Sequence, residues 1–287
     1  MLSALSQIVV AFACSPLVIS PVRAPPARLA ITSAKQNLLS AIDAYNAATA
    51  ADGVPSVDFG VKGGELDKES RAPRDLLAAG AFYGVSENVG AAADAVIKAV
   101  DDVAAENPTE EPTKGFGTRD GATTSPLHGR WLNAFTTAAD ATFSADSKRG
   151  GAIVSNQVDA RSGSTVNMIE FTGRDHPAFR ATRSGTKRSP LESLRVVLSA
   201  KAVSPRRIEL VFKFVRPRIT LKLFGRRVPV TLLIPVPGPF ITSVLFAFRP
   251  NKKPPPAYFD VLYLDDDLRV HKTAQGNLFV QRRAVAA

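Results

Sequence analysis

The sequence predicts a mainly β chain with N-terminal helices, an α+β protein whose second half is an antiparallel barrel or sandwich. Three observations lead there. After Pro126 the chain is a series of short apolar runs at close spacing, with no helical period between them. Before Pro108, apolar residues instead recur at intervals of three and four. The charge divides along the same line: residues 144–287 hold 25 Lys and Arg against 10 Asp and Glu, a net of +15. Residues 1–143 hold 11 against 16, a net of −5. A basic half of this kind fits an anionic partner such as a lipid surface or nucleic acid.

The first 32 residues read as a cleavable leader. No acidic side chain occurs before Asp43, and "LSQIVVAFACSPLVIS" is apolar but broken by Pro16 and too short to span a membrane. "PVRAPPARLAITSAK" follows, with Arg, Ser and Thr, the composition of a transit peptide. Together they match the bipartite leader of an algal plastid bounded by extra membranes; a plain secretory signal is the alternative. Cys14, the only cysteine, lies in this leader, so no internal disulfide and no thiolate zinc site is expected.

Residues 33–120 are expected to form a helical region and a linker. Ser33 with Gln36 forms a capping-box start, and Leu38, Leu39, Ile42 and Tyr45 share one helical face. Residues 49–70 carry five loop-forming Gly and Pro residues, and a second helix is expected over about 73–83. A third begins at the N-cap Ser86, with Val89, Val96, Val100 and Val103 on one stripe. Pro108 and Pro112 stop it, and the Gly/Thr run after them, including "GFG" at 115–117, reads as linker.

Residues 121–287 supply the strands: "RWLNAFTT", "AIVSNQVD", "STVNMIEFTG", "AFRATRS", "LRVVLSAKAV", "RRIELVFKFV" and "RITLKLFG". In the sixth, Ile208, Leu210, Phe212 and Phe214 alternate with other residues, as in a strand with one buried face. Val228 to Phe248 has no charge over 21 residues, but Pro229, Pro235, Pro237 and Pro239 exclude a spanning helix. It reads as strand, proline-rich loop and strand. Arg226 and Arg227 precede it and Arg249, Lys252 and Lys253 follow. With Leu232, Leu233, Ile234 and Phe240 between, it suits a loop dipping into an anionic headgroup region, at about 1 kcal/mol per basic residue. The competing reading folds this loop over the barrel as core.

The last stretch, "YLDDDLRVHKTAQGNLFVQRR", poses a choice between an acidic site, a metal cradle and a turn. Asp turns the chain by bonding nearby backbone N–H groups, and the Asp-x-Asp-x-Asp-Gly spacing of an EF-hand loop is missing. Asp265 to Asp267 therefore read as a turn between strands, with Arg269 as an ion-pair partner, and Gly276–Asn277 as a second turn.

This stretch resembles the carboxy-terminal signature of the plastid lipid-associated proteins, or plastid fibrillins. Tyr263, Leu264, Asp265, Asp266, Asp267, Leu268, Arg269 and Val270 match it, as do Gly276, Asn277, Leu278, Phe279 and Val280. Gly129 two residues before Trp131 is similar to the Gly-x-Trp entry of lipocalin-type barrels, and Asn107, Pro108 and Thr109 are similar to the family's link between helices and barrel. Val261 and Leu262 stand where the family usually has two threonines. The resemblance covers about residues 86–287. It implies a lipocalin-like barrel that associates with thylakoids or plastoglobules and binds an apolar lipid: a carotenoid, a quinone or another prenyl lipid. It also implies an arginine packed over Trp131, with Arg282 on the last strand preferred to Arg269.

Expected interior residues, bounding a cavity or a packed core, are Trp131, Phe135, Val166, Ile169, Phe212, Phe214 and Leu245. The structural signature is Gly129, Trp131, Tyr263, Asp265, Asp267, Arg269, Gly276, Asn277, Phe279 and Arg282. His271 is expected at the surface. No nucleophile elbow, Walker loop, zincin or kinase motif is present, and no catalytic residue, metal or cofactor is expected. Nucleic acid is not expected as a partner, because the basic residues are dispersed at loop ends without interleaved aromatics. An enzyme on the same barrel acting on a carotenoid, and a ligand-free membrane-surface scaffold, are the competing classes.

Overall fold

The computed structural model describes residues 32–52, 86–138, 141, 151–171, 191–223, 226–236 and 257–285. The leader, the helix expected over 73–83 and the strand "AFRATRS" lie outside the described residues, as do Phe240, Leu245, Arg249, Lys252 and Lys253.

Helix α1 spans Ser33–Asp52. Its cap is Thr32, not Ser33: Thr32 Oγ1 accepts from the Lys35 N–H at 3.3 Å. The expected capping box is thus displaced by one residue, and Lys35 takes the third helical position where a glutamine had been expected. Helix α2 spans Glu87–Ala105, and its cap Ser86 accepts from Val89 N–H at 3.2 Å. Asp52 Oδ2 accepts from Ser86 Oγ at 2.7 Å and Asn88 Nδ2 at 3.1 Å, tying the end of α1 to the start of α2. Leu38 and Ile42 of α1, and Val89, Val96, Val100 and Val103 of α2, are fully buried. At full burial each apolar side chain contributes about 1.5–3 kcal/mol, more than helix propensity supplies.

Among the described residues ten strands follow: β1 Gly129–Thr136, β2 Ala152–Asp159, β3 Ser164–Phe171, β4 Leu191–Ala202, β5 Arg207–Leu223, β6 Arg226–Thr231, β7 Ile234–Pro235, β8 Tyr258–Leu264, β9 Leu268–Thr273 and β10 Leu278–Arg283. Their order is β4-β3-β2-β1-β10-β9-β8-β5, and β5 pairs back onto β4, so eight antiparallel strands close a barrel. Closure removes the unpaired edges of an open sheet. The fold is the expected antiparallel lipocalin-like barrel with N-terminal helices.

The two runs "RRIELVFKFV" and "RITLKLFG" are one 17-residue strand, β5, not two. Pro217 does not interrupt it. In an antiparallel ladder a residue's N–H and C=O point to the same side, and Pro217 O accepts from Leu232 N, in the gap between β6 and β7. The donor that proline lacks would have faced that gap. The first half of β5 belongs to the barrel wall; its second half carries β6 and β7 beyond it. Pro229 is tolerated in β6 because that strand lies at the sheet's end.

Register sets what faces inward. Trp131 stands opposite Asn156, Asn156 opposite Asn167, and Asn167 opposite Val196, so these share the barrel's inner face. On the outer face Tyr263, Leu268, Val270, Leu278 and Val280 form one core with the two helices. The segment after α2 is ordered against the barrel rather than a free linker. Asn107 Oδ1 accepts from Leu264 N–H at 2.9 Å, Thr109 Oγ1 donates to Leu264 O at 2.5 Å, and Thr113 Oγ1 donates to Ser204 O at 2.8 Å. It also includes a short helix, α3 (Gly121–Thr124). Phe116 and Leu127 then plug the barrel end beside Trp131, Val158 and Ile208. Gly115, with φ 71°, is required there, because a Cβ would lie 2.4 Å from Thr124 Oγ1.

Candidate functional site

The floor of the barrel is built on Trp131. Its Nε1 donates to Leu127 O at 3.0 Å, and the Arg283 guanidinium lies 4.1 Å from the ring centroid. Arg283 is further fixed by donating to three backbone oxygens: Asp266 O at 2.5 Å, His128 O at 2.6 Å and Pro126 O at 2.7 Å. Gly129, at φ 126°, leaves room for it, since a Cβ would meet Arg283 Nη1 at 2.9 Å. The Gly-x-Trp pair is therefore a receptacle for a guanidinium. The arginine is Arg283, not Arg282: Trp131 pairs with Arg283 in register, whereas Arg282 pairs with Leu132 on the outer face and is exposed.

Above the floor lies a polar belt. Arg269 is buried at 1% exposure, and its guanidinium is 5.0 Å from the Trp131 ring. Its Nε donates to Gln281 Oε1 at 2.9 Å and its Nη2 to Asn156 Oδ1 at 2.6 Å, with a further contact from Nη2 to Gln281 Oε1. Burial, and then the neighbouring Arg283, push its pKa down to about 9. The expected pairing of Arg269 with the aspartates is overturned. Arg269 faces inward, and its hydrogen-bond partners, Gln281 and Asn156, are uncharged.

His271, expected at the surface, is buried as well. It stacks on Phe279 with centroids 5.1 Å apart, and Phe259 lies 4.8 Å away. Burial, and then Arg269, hold its pKa well below the usual histidine value, so the imidazole is neutral. Among the described residues, four buried polar atoms here have no partner: Arg269 Nη1, His271 Nδ1, Asn133 Oδ1 and Thr165 Oγ1. By register, all four residues face inward.

Toward the other end the inner face turns apolar. Val154, Ile169 and Leu194 form one cross-strand row. Phe212 stands opposite Leu198 on the same face. These side chains are half-buried except Ile169 and Leu198, which are buried.

Of the expected interior residues, Trp131, Ile169 and Phe212 face inward, while Phe135, Val166 and Phe214 do not. Val166 sits an odd number of positions from Ile169, and side chains alternate along a strand. In β1 a bulge between Asn133 and Phe135 turns Phe135 outward into the helix-covered core, 5.0 Å from the Tyr45 ring. In β5 the register shifts so that Leu198 opposes Phe212 and Val197 opposes Phe214, which puts Phe214 on the outer face.

The aspartate turn joins barrel to helix. Asp265 Oδ1 accepts from Asp267 N–H at 3.0 Å and Leu268 N–H at 2.8 Å, a side-chain-capped turn. Its Oδ2 accepts from Tyr263 Oη at 2.6 Å and pairs with Lys35 Nζ at 2.7 Å; Lys35 also reaches Asp267. Burial works against the Asp265 charge, but bonding around Asp267, Lys35 and Tyr263 outweighs it and lowers its pKa. Burial and Asp265 raise Tyr263. A lysine ammonium thus sits where a cation would sit between these carboxylates. The second turn uses Gly276 at φ 88°, and buried Asn277 accepts from Thr137 Oγ1 at 3.2 Å. Phe279 of the signature is the stacking partner of His271.

On the extension, Leu232, Leu233 and Ile234 are 42%, 62% and 49% exposed, so they do not fold over the barrel as core. Arg226 is exposed at the start of β6, and Arg227 follows it in the strand. No helix among the described residues is long and apolar enough to cross a membrane. Among the described residues no group of three or more His, Cys, Asp and Glu is placed to hold a metal. Sequence reasoning missed the inward Asn133, Asn156, Thr165 and Gln281, and the reach of Lys35 to Asp265. The alternation in "LRVHKT" was the signal available for Arg269 and His271, since both must lie opposite Leu268 and Val270.

Neither a curated protein nor a solved structure matches the chain. A family model, PAP_fibrillin, matches residues 77–282, which takes in α2, the floor segment and the barrel strands as far as Arg282. With the signature hairpin and the closed barrel in place, the chain belongs to the PAP_fibrillin family, the plastid lipid-associated proteins.

Proposed function

We propose that the barrel carries an isoprenoid-type apolar lipid, a carotenoid, quinone or other prenyl lipid, at the surface of thylakoids or plastoglobules, without making or breaking bonds. The observation that supports this most is the half-open apolar row of Val154, Ile169 and Leu194 above a closed floor. A closed barrel of eight strands is just wide enough for one small ligand. Docking falls to the extension. Leu232, Leu233 and Ile234 offer apolar surface, and exposed Lys213, Arg216 and Arg226 flank it on β5 and β6. Each basic residue near an anionic leaflet contributes about 1 kcal/mol.

The test is to incubate the purified chain with a plastid lipid extract, repurify it, and identify co-purifying lipids by mass spectrometry. One stoichiometric prenyl lipid supports the carrier reading. A chain that returns without lipid but still floats with anionic liposomes is a surface scaffold, and the carrier reading fails. A lipid returned chemically altered points to an enzyme.

A further inference from the structure

We propose that the polar belt inside the barrel is an anion seat, in which Arg269 holds the carboxylate of a long-chain amphiphile whose tail lies along the apolar upper row. The inference rests on the reading that the barrel interior takes lipid, and adds what the head of that lipid must be.

A guanidinium has five N–H donors and a full positive charge. For Arg269 the Nε and Nη2 donors meet Gln281 and Asn156, but Nη1 has no acceptor among the described residues. The partners it does have are amide oxygens and two aromatic faces, Trp131 at 5.0 Å and Phe259 at 5.8 Å. These are dipoles and quadrupoles, which moderate a buried charge without neutralising it. Among the described residues no carboxylate forms an ion pair with Arg269, and the charge that acts on it, Arg283, has the same sign. Buried charges are as a rule paired, because breaking such a pair strands the remaining ion out of water.

A water molecule would satisfy the Nη1 donors and leave the charge. A neutral carbonyl would do the same. A carboxylate supplies both the acceptors and the charge, in the planar geometry a guanidinium matches. Its single negative charge matches that of Arg269, while the donors of Arg283 are taken up by three backbone oxygens. The Thr165 hydroxyl, also without a partner among the described residues, is a further donor on the inner face. The tail then has the row of Val154, Ile169 and Leu194.

The chain's only tryptophan, Trp131, lies against this guanidinium and reports binding by its fluorescence. The experiment titrates the full chain, stripped of lipid, with palmitate and with methyl palmitate. We expect palmitate to bind about 10- to 100-fold more tightly, the range for hydrogen bonds to a charged group. The Arg269→Met variant should lose that preference while keeping its affinity for the ester. Equal affinity of the unaltered chain for acid and ester overturns the anion seat, whether or not the variant folds. So does a folded Arg269→Met chain that still prefers the acid. If neither probe binds but the plastid extract yields a neutral prenyl lipid, the anion seat fails and the carrier reading stands. If neither probe binds and the extract yields no lipid, both fail.

Discussion

Replacing Lys35 by Met removes the cation that links α1 to the aspartate turn while keeping a good helix former. At 2.7 Å and an effective dielectric constant of about 20, the Lys35–Asp265 attraction is about 6 kcal/mol gross. Most of that offsets desolvation of two side chains that are only 8% and 5% exposed. Removing Lys35 alone keeps the desolvation of Asp265 and loses the attraction, the situation that costs about 3–5 kcal/mol for a fully buried pair. Asp265 retains three other donors, so the lower end, about 3 kcal/mol, is expected. The contact with Asp267, whose side chain is 71% exposed, adds little. For a chain of this size about 3 kcal/mol corresponds to a melting point lower by roughly 6–12 °C.

The pH dependence follows from the direction of each shift. Burial opposes the Lys35 charge, but hydrogen bonds and attraction to Asp265 and Asp267 raise its pKa. The stability it contributes is full below 10.5 and is lost as pH rises through the raised value. The lowered pKa of Asp265 contributes stability that is present above 3.8 and is lost as pH falls below it. Lys35→Met should flatten both limbs of a urea-melt profile followed by circular dichroism. A loss under about 0.5 kcal/mol, or the same loss in an Asp265→Asn background, would refute this account.

Asp in place of Leu232, Leu233 and Ile234 should release the chain from anionic liposomes without lowering its melting point, because these side chains are exposed; a sedimentation assay that finds unchanged binding sinks the docking edge. Gly129→Ala introduces a Cβ at φ 126° and 2.9 Å from Arg283 Nη1, so a loss of about 1–3 kcal/mol is expected from chemical denaturation, and a neutral result would contradict the tight seat of Arg283. His271 is neutral in the fold with a depressed pKa, so the stability it contributes is present above about 6.5 and is lost as pH falls below that value. His271→Phe keeps the stacking on Phe279 and should make melting less sensitive to acid in that range; an unchanged pH profile would show that His271 is not the titrating group.

The elements whose chemistry is local were legible in the sequence. Ser86 caps α2 because a hydroxyl there meets a free N–H, and the hairpins of β8 to β10 follow from Asp and Gly at their turns. What failed was counting by twos across a bulge. One extra residue after Asn133 sends Phe135 to the helices, and one extra residue in β5 sends Phe214 outward, though both strands alternate well on paper. Arg282 and Arg283 differ by the same parity, and only pairing with Trp131 decides between them. The buried state of Arg269 and His271 was hidden for another reason. Both β9 faces are buried, one by the barrel and one by α1 and α2, so polar residues in "LRVHKT" did not mark a solvent face. Lys35 could not be linked to Asp265, 230 residues away, by any local rule.

The long strand β5 is shared property. Its first residues are bonded to β8 in the barrel wall, and its last are bonded to β6, whose chain leads into Leu232, Leu233 and Ile234. β4 pairs along the same strand from Ile208 to Ile219, so the exposed edge and the barrel wall share one backbone. Linkage then requires reciprocity: if seating on a lipid surface changes how tightly the barrel grips its contents, those contents must change by the same factor how tightly the edge grips the surface. A disulfide engineered between β4 and β5 tests that linkage: if it runs through their register, liposome affinity becomes indifferent to whether the barrel is full.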